Sequence, residues 1–351
     1  MDRVRILHYI PSKKTVRCHS NFKDNEFFEN YYFFFETCLL KNSTQKNSSR
    51  FKNTKMSPIG LIQYVKKVKP DILIVSNKLV GDKFIQFLRN NIKLIYFIHH
   101  GIWNPFQIKS FVKSDIYKKK FDIFDKAFVC YRNWIAFSKY SNKFYPLNGL
   151  PQIDLMLDTD FQSYKNIIHK SRVVKTILFV ANCKEKSDEE LHEIMHYLNI
   201  FCYNYKYHLY LKLKRNLVSQ EKFLRNIRKR SYLTIVPIEE SMYHYFFCDI
   251  VLIQTCGTSL VESLLLDKPT ILVQIKDQTD YMDCKKYSHI PQVTNLGVLG
   301  QTLLGIHKIN KTVDYIEQKN QFLKEYLGER GNATNQILNV IKKDLYKYKN
   351  I

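Results

Sequence analysis

The sequence predicts a two-domain α/β protein, each domain a parallel sheet wound with helices, and three observations carry that expectation. The chain has 351 residues, beyond the roughly 250–300 at which a single hydrophobic core stops growing. Short β-rich runs alternate with longer amphipathic ones, the rhythm of parallel strands joined by crossover helices. That rhythm breaks once, at Leu147-Asn148-Gly149-Leu150-Pro151, and then restarts, which places the junction of two Rossmann-like units near residues 150–170.

In the first half, Val4–Tyr9, Asp71–Ser76, Lys93–Ile98 and Lys126–Cys130 read as strands because they are short, apolar and rich in β-branched or aromatic residues. Glu26–Leu40, Pro58–Val68 and Lys83–Asn90 read as helices, the last two followed by breakers at Pro70 and Asn90-Asn91. The polar run Lys41–Lys55 reads as a loop. A helix at Gln162–Lys170 opens the second half. Strands follow at Thr176–Ala181, His208–Leu213, Leu233–Pro237, Ile250–Gln254 and Thr270–Gln274, with helices at Asp188–Phe201, Gln220–Arg230 and Ser259–Leu266. The tail, Asp314–Ile351, is helical and interrupted at Leu327-Gly328-Glu329-Arg330-Gly331. The expected domains are 1–155 and 156–325, with 326–351 a C-terminal helix whose packing partner is the first domain.

A hydrophobic fraction of 45% excludes a disordered chain. Lys and Arg number 55 against 32 Asp and Glu, a net charge of +23, and such an excess attracts polyanions. The basic residues are scattered, with short clusters at Lys118-Lys119-Lys120 and from Arg225 to Arg230. There is no basic arm and no RRM, KH or zinc-finger signature, so no specific nucleic-acid partner is expected; the alternatives are contact with an anionic membrane and a merely solvated lysine-rich face. Eight cysteines, at positions 18, 38, 130, 183, 202, 248, 256 and 284, form no C-x-x-C pair and lie mostly in apolar runs. They read as buried, reduced thiols of a cytoplasmic protein. Met1-Asp2-Arg3-Val4-Arg5 does not open a signal peptide, and Phe27–Leu40, with Glu29 and Glu36 inside it, is too short to span a bilayer. The expectation is a soluble protein or one peripheral at the membrane.

Open α/β sheets bind ligands beyond the carboxyl ends of their strands, and the residues there carry the chemistry. After Ile250–Gln254 comes Thr255-Cys256-Gly257-Thr258-Ser259, then a helix containing Glu262. Gly257 lets a ligand approach the backbone, and Thr258 and Ser259 bring hydroxyls to a helix N-terminus, where unpaired N–H groups and the dipole favour a phosphate. Glu262, one turn on, suits the two hydroxyls of a ribose. The same letters, Ser259-x-x-Glu262, also fit a capping box that does no more than close the helix end. After Lys93–Ile98 comes His99-His100-Gly101, where a histidine suits a general base or a phosphate partner, or a loop histidine bonded to backbone. Lys214 and Arg215 end the strand His208–Leu213 in positive charge, able to offset a pyrophosphate or simply exposed. His192-Glu193-Ile194-Met195-His196 matches the zinc motif H-E-x-x-H. It falls in a helix between two strands of a βαβ unit with Ile194, Met195 and Leu198 on its buried side, so no metal site is expected.

Together these stretches resemble the GT-B superfamily of transferases, with two Rossmann-like domains facing across a cleft. The G-T-S-L-V-E-S-L turn from Gly257 to Leu264 is similar to those of UDP-N-acetylglucosamine 2-epimerase-like and CDP-glycerol glycerophosphotransferase-like proteins. The order of parts looks most like the glycerophosphotransferases of teichoic acid synthesis. Their His-Gly motif matches His100-Gly101, their G-x-P-R-x-D linker matches Gly149-Leu150-Pro151-Gln152-Ile153-Asp154, and their closing Gly-rich stretch looks like Gly331-Asn332-Ala333-Thr334. Gln152 stands where that family has Arg, Lys214-Arg215-Asn216 replaces Lys-x-His-Pro, and Thr258-Ser259 with Glu262 stands for adjacent serines and an acid. The resemblance implies a nucleotide-activated donor, UDP- or CDP-linked, as substrate and no separate cofactor. It implies a glycan, polyol or lipid-linked acceptor and His100, with His99 beside it, as the catalytic group. The donor would rest on Gly257, Thr258, Ser259 and Glu262, with Lys214 and Arg215 near its phosphates. A nucleotide-sugar epimerase on the same fold and a non-catalytic basic binding protein are the alternatives.

Overall fold

The computed structural model describes residues 3–10, 19, 21–24, 26–34, 51–52, 58–76, 82–99, 122–138, 141–158, 174–182, 188–214, 230–236, 241–254, 257–275, 282–328 and 332–349. The chain divides into two compact units, Met1–Asp158 with Glu325–Ile351, and Thr159–Lys324.

The first unit holds seven strands: β1 (Val4–Ile10), β2 (Phe28–Phe34), β3 (Phe51–Lys52), β4 (Ile72–Val75), β5 (Leu94–Ile98), β6 (Lys126–Cys130) and β7 (Phe144–Leu147). They form one sheet in the order β3-β2-β1-β4-β5-β6-β7, and every neighbouring pair is parallel. Helices α1 (Pro58–Val68), α2 (Asp82–Asn91), α3 (Tyr131–Phe137) and α4 (Pro151–Asp158) belong to the same unit. Successive side chains of a strand point to opposite faces, and both faces are apolar here, so β4 and β5 are buried throughout. Leu73, Val75, Ile95 and Phe97 meet Leu61, Val65 and Leu88 of the first two helices. Ile72, Ile74, Leu94 and Tyr96 meet the other face's cover, Ile337 and Ile341 of the last helix.

The second unit holds β8 (Thr176–Asn182), β9 (His208–Lys214), β10 (Leu233–Ile235), β11 (Ile250–Ile253), β12 (Thr270–Val273) and β13 (Gln292–Val293). Their order is β10-β9-β8-β11-β12-β13, again parallel throughout. The helices are α5 (Asp188–Tyr205), α6 (Ser241–Phe247), α7 (Thr258–Leu265), α8 (Leu296–Ile309) and α9 (Val313–Leu327), which crosses the unit boundary; α10 (Ala333–Lys349) closes the chain in the first unit. Leu191, Ile194 and Leu198 of α5, with Leu299 and Leu303 of α8, cover one face of this sheet. Among the described residues no helix is long and apolar enough to cross a membrane.

Two assignments are corrected. The expected helix Glu26–Leu40 contains a strand, Phe28–Phe34, paired with β1 from Val4↔Phe28 onward. Its apolar doublets imitate helical spacing, yet Phe28, Asn30 and Tyr32 are buried while Glu29 and Tyr31 are less so, a period of two. Within the expected loop Lys41–Lys55, Phe51–Lys52 extends the sheet against β2. The expected helices Gln162–Lys170 and Gln220–Arg230 lie outside the described residues, except Arg230, which precedes β10.

Candidate functional site

In the second sheet the chain winds outward from β8 in one direction, through β9 to β10, and then returns to lay β11, β12 and β13 on the other side. The order therefore reverses between β8 and β11, and such a switch point opens a crevice at the carboxyl edge. β11 is buried along its length because Ile250-Val251-Leu252-Ile253 offers apolar side chains to both faces. At its carboxyl end Gln254 donates its backbone N–H to Val180 of β8 at 3.1 Å, and α7 begins four residues later.

The start of α7 bears on the capping-box reading of its sequence. The N-cap residue is Gly257, in extended backbone (φ 165°, ψ −159°) and with no side-chain cap. The first helical bond runs from the Leu260 N–H to the Gly257 carbonyl at 2.9 Å. A capping box on Ser259 needs Ser259 itself at the N-cap, and it lies inside the first turn instead. Ser259 and Glu262 are 4% and 6% exposed, so a carboxylate is held almost out of water one turn into a helix at the switch point. The first turn of α7 is Thr258-Ser259-Leu260, and its Leu260 N–H is already taken by Gly257. Gln254, Gln274 and Glu190 are also buried at this edge, and Glu190 accepts the Ile275 N–H at 2.7 Å. These three were missed because a single polar residue at a strand or helix end carries no spacing signal.

Lys214 is the last residue of β9 and pairs in register with Asn182 at the end of β8. Its backbone is thus two strand spacings, about 10 Å, from the line of β11. Arg215 lies outside the described residues, as does His100. His99 is described, in the first unit: it is 2% exposed, gives its backbone N–H to Phe128 at 2.9 Å, and its Nδ1 faces the Asn133 amide nitrogen at 3.4 Å. That partner makes Nδ1 the acceptor, and the His99 ring packs beside Phe97. Thus the fold gathers Gly257, Thr258, Ser259 and Glu262 on one turn and sets His99 in the core of the other unit.

The H-E-x-x-H stretch lies on α5 with Glu193 and His196 exposed. Among the described residues no group of three or more His, Cys, Asp or Glu could hold a metal ion.

The linker motif and the closing motif meet. Asp154 of α4, 4% exposed, accepts from the backbone N–H groups of Ala333 and Thr334 at 3.2 and 2.7 Å and from the Thr334 hydroxyl at 2.8 Å. A carboxylate at a helix N-terminus takes up orphan donors and complements the dipole. Close by, Asn148 donates its backbone N–H to Gln336, and Gly149 donates to Leu327. A second network was not foreseen from the sequence: buried His8 places Nδ1 at 3.0 Å from His19 Nδ1 and Nε2 at 3.0 Å from Asn30 Oδ1. The Asn30 amide in turn donates to Asp24 at 3.2 Å. The only sequence signal for it is a histidine inside the apolar run of β1.

No protein-family profile and no curated protein sequence matches the chain. Solved structures do. A putative UDP-N-acetylglucosamine 2-epimerase from Listeria monocytogenes superposes with a TM-score of 0.64 at 12% identity, over 99% of this chain and 98% of that one. The UDP-GlcNAc 2-epimerase of Neisseria meningitidis, bound to UDP-GlcNAc, gives 0.62 at 12% over 97% and 100%. The wall teichoic acid polymerase TagF gives 0.68 at 11% over 99% and 90%. The chain therefore has the GT-B-like fold, two wound parallel sheets, that these nucleotide-sugar and polymer-forming proteins share.

Proposed function

We propose that the chain is a transferase that moves a glycosyl or glycerol-phosphate group from a UDP- or CDP-activated donor to an acceptor hydroxyl. The observation that carries this reading is the buried Glu262 behind an uncapped Gly257 N-terminus at the switch point of the second sheet. Burying a carboxylate is costly, and Ser259 is not at the N-cap position that a capping box with Glu262 would need. The donor's diphosphate takes the N–H groups and hydroxyls of Thr258 and Ser259, where the helix dipole favours negative charge. Glu262 accepts from the ribose hydroxyls, and Lys214 and Arg215 offset phosphate charge. His100 takes the proton of the acceptor hydroxyl as its oxygen attacks. The leaving group is a nucleoside diphosphate in glycosyl transfer and a nucleoside monophosphate in glycerol-phosphate transfer. A protein of this fold seen bound to UDP-GlcNAc supports the donor class.

The test is a thermal-shift series with UDP, CDP, GDP and ADP on the wild type and Glu262→Ala. Ligand at about a hundred times its dissociation constant adds roughly 2.7 kcal/mol, and the expected result is a rise with UDP or CDP that the variant lacks. No rise with any nucleotide would overturn the donor site. General-base catalysis contributes roughly 10²–10⁴ in rate, so His100→Ala should lose that much turnover while keeping the nucleotide shift. A second reading, an epimerase, is favoured by the full-length match to two epimerases; conversion of a UDP-sugar with no acceptor present would establish it.

A further inference from the structure

The amino-terminal edge of the second sheet carries a face that donor chemistry does not use. The solvent stripe of α5 opens with Glu189 and Glu193, as an exposed helix face should, but runs through His196 to Ile200 and Tyr203, 51% and 63% exposed. Tyr205 ends the helix half-exposed, and Lys206 follows with its Nζ 5.0 Å from the Tyr203 ring centre. The starts of the neighbouring strands continue the patch. Tyr232 packs against Tyr203 with ring centroids 6.3 Å apart, and Lys175 lies 5.8 Å from the Tyr207 ring. Val174, just before β8, is exposed there too.

Single exposed apolar residues need no explanation, but a cluster does. Three exposed cations, Lys175, Lys206 and Arg230, border this one, and segments 174–175, 196–208 and 230–236 contain no Asp or Glu. Across β8, Asp249 gives its carboxylate to the Thr176 N–H and hydroxyl, both at 2.8 Å.

We propose that this face docks on an anionic phospholipid surface. Tyrosine rings rest at headgroup level and aliphatic side chains enter the acyl boundary. Lysines lay their stems on apolar surface and keep their charge among the phosphates. Stacking on single-stranded RNA would use the tyrosines and cations but leave Val174 and Ile200 without a role. A second copy of the same face would bring like charges together. The inference is independent of the donor-site reading.

The full chain is floated with vesicles of phosphatidylcholine containing about a third phosphatidylglycerol, and with pure phosphatidylcholine, at low and at physiological salt. The expected result is retention by the mixed vesicles alone, weakened by salt. Two variants, Ile200→Ser/Tyr203→Ser and Lys175→Glu/Lys206→Glu, should each lose about tenfold in retention with circular dichroism unchanged. All four positions are solvent-facing, and the second variant guards against a fold effect in the first. Wild-type retention in both variants would overturn the proposal, as would equal retention by neutral vesicles. Poly(U) capture without vesicle capture would make the face an RNA platform, and a dimer in light scattering that the first variant dissolves would make it a self-interface.

Discussion

His8 is fully buried, and its partners dictate its tautomer one step at a time. Asp24 can only accept, so it draws the Asn30 NH2 group and turns Asn30 Oδ1 toward His8. His8 Nε2 must then carry the hydrogen, which leaves Nδ1 to accept from His19. A second proton on His8 could go only onto Nδ1, where it would face the His19 ring nitrogen and require His19 to switch tautomer. Burial lowers its pKa from 6.5 to about 4, against the Asn30 bond and the Asp24 charge, which raise it. Because the folded value lies below the unfolded one, stability is complete above pH 6.5 and is lost as pH falls toward 4. The total loss is about 3 kcal/mol. Tyr32 stacks on the ring and carries no charge in this range. Hydrogen exchange of the β1 and β2 amides between neutral pH and pH 5 should show about 2 kcal/mol of that loss, and His8→Phe should flatten it; equal slopes would assign the sensitivity elsewhere. Asp154 is the opposite case, a buried acid wanted as an anion. Asp154→Ala leaves three donors at the start of α10 without their acceptor, and the expected cost is about 2–4 kcal/mol in the first unit. The nucleotide response should survive; its loss at unchanged melting temperature would make Asp154 a chemical residue instead.

Helix ends show how much of each element was legible. The chain has only 10 glycines, and Lys69, Lys206 and Asp267 take left-handed backbone at φ 48°, 58° and 55°, each just past a helix where glycine is the easy residue. Lys69→Gly, exposed after α1, should therefore gain up to about 1 kcal/mol in denaturant unfolding. Gly328 is the converse. It turns α9 at φ +72°, and an added Cβ would lie 2.8 Å from Asn148 Oδ1 and 3.1 Å from the Tyr131 ring. Gly328→Ala should cost about 1–3 kcal/mol, and an unchanged melting curve would show that the turn can move. Strands buried on both faces, such as β4, β5 and β11, were plain in the sequence because continuous apolar runs of that length have few other uses. β2 was not, because its inward Asn30 breaks the apolar alternation for the sake of His8 and Asp24. The α7 turn was legible as letters but not as geometry: Ser259-x-x-Glu262 fits a cap and a ligand site equally, and the position of Gly257 rules out only a box capped by Ser259. The meeting of Asp154 with Thr334, 180 residues on, was beyond any local pattern.

At the scale of the molecule, charge is the property that the fold does not resolve. If each of the 32 acids paired with one of the 55 bases, 23 cations would still have no counter-charge. Local pairs do form, Arg89 with Asp125 at 2.9 Å and Lys126 with Asp344 at 2.6 Å, the latter also holding α10 to β6. Partly exposed pairs of this kind contribute little each, whereas repulsion among the unmatched cations acts over the screening length. That length is about 30 Å at 0.01 M salt and about 8 Å at 0.15 M. Raising salt should therefore weaken repulsion more than attraction, and the melting temperature should rise by a few degrees over that range. A protein held by its ion pairs would move the other way. A fall on adding salt would mean that pairs such as Lys126–Asp344 outweigh the repulsion among the excess cations.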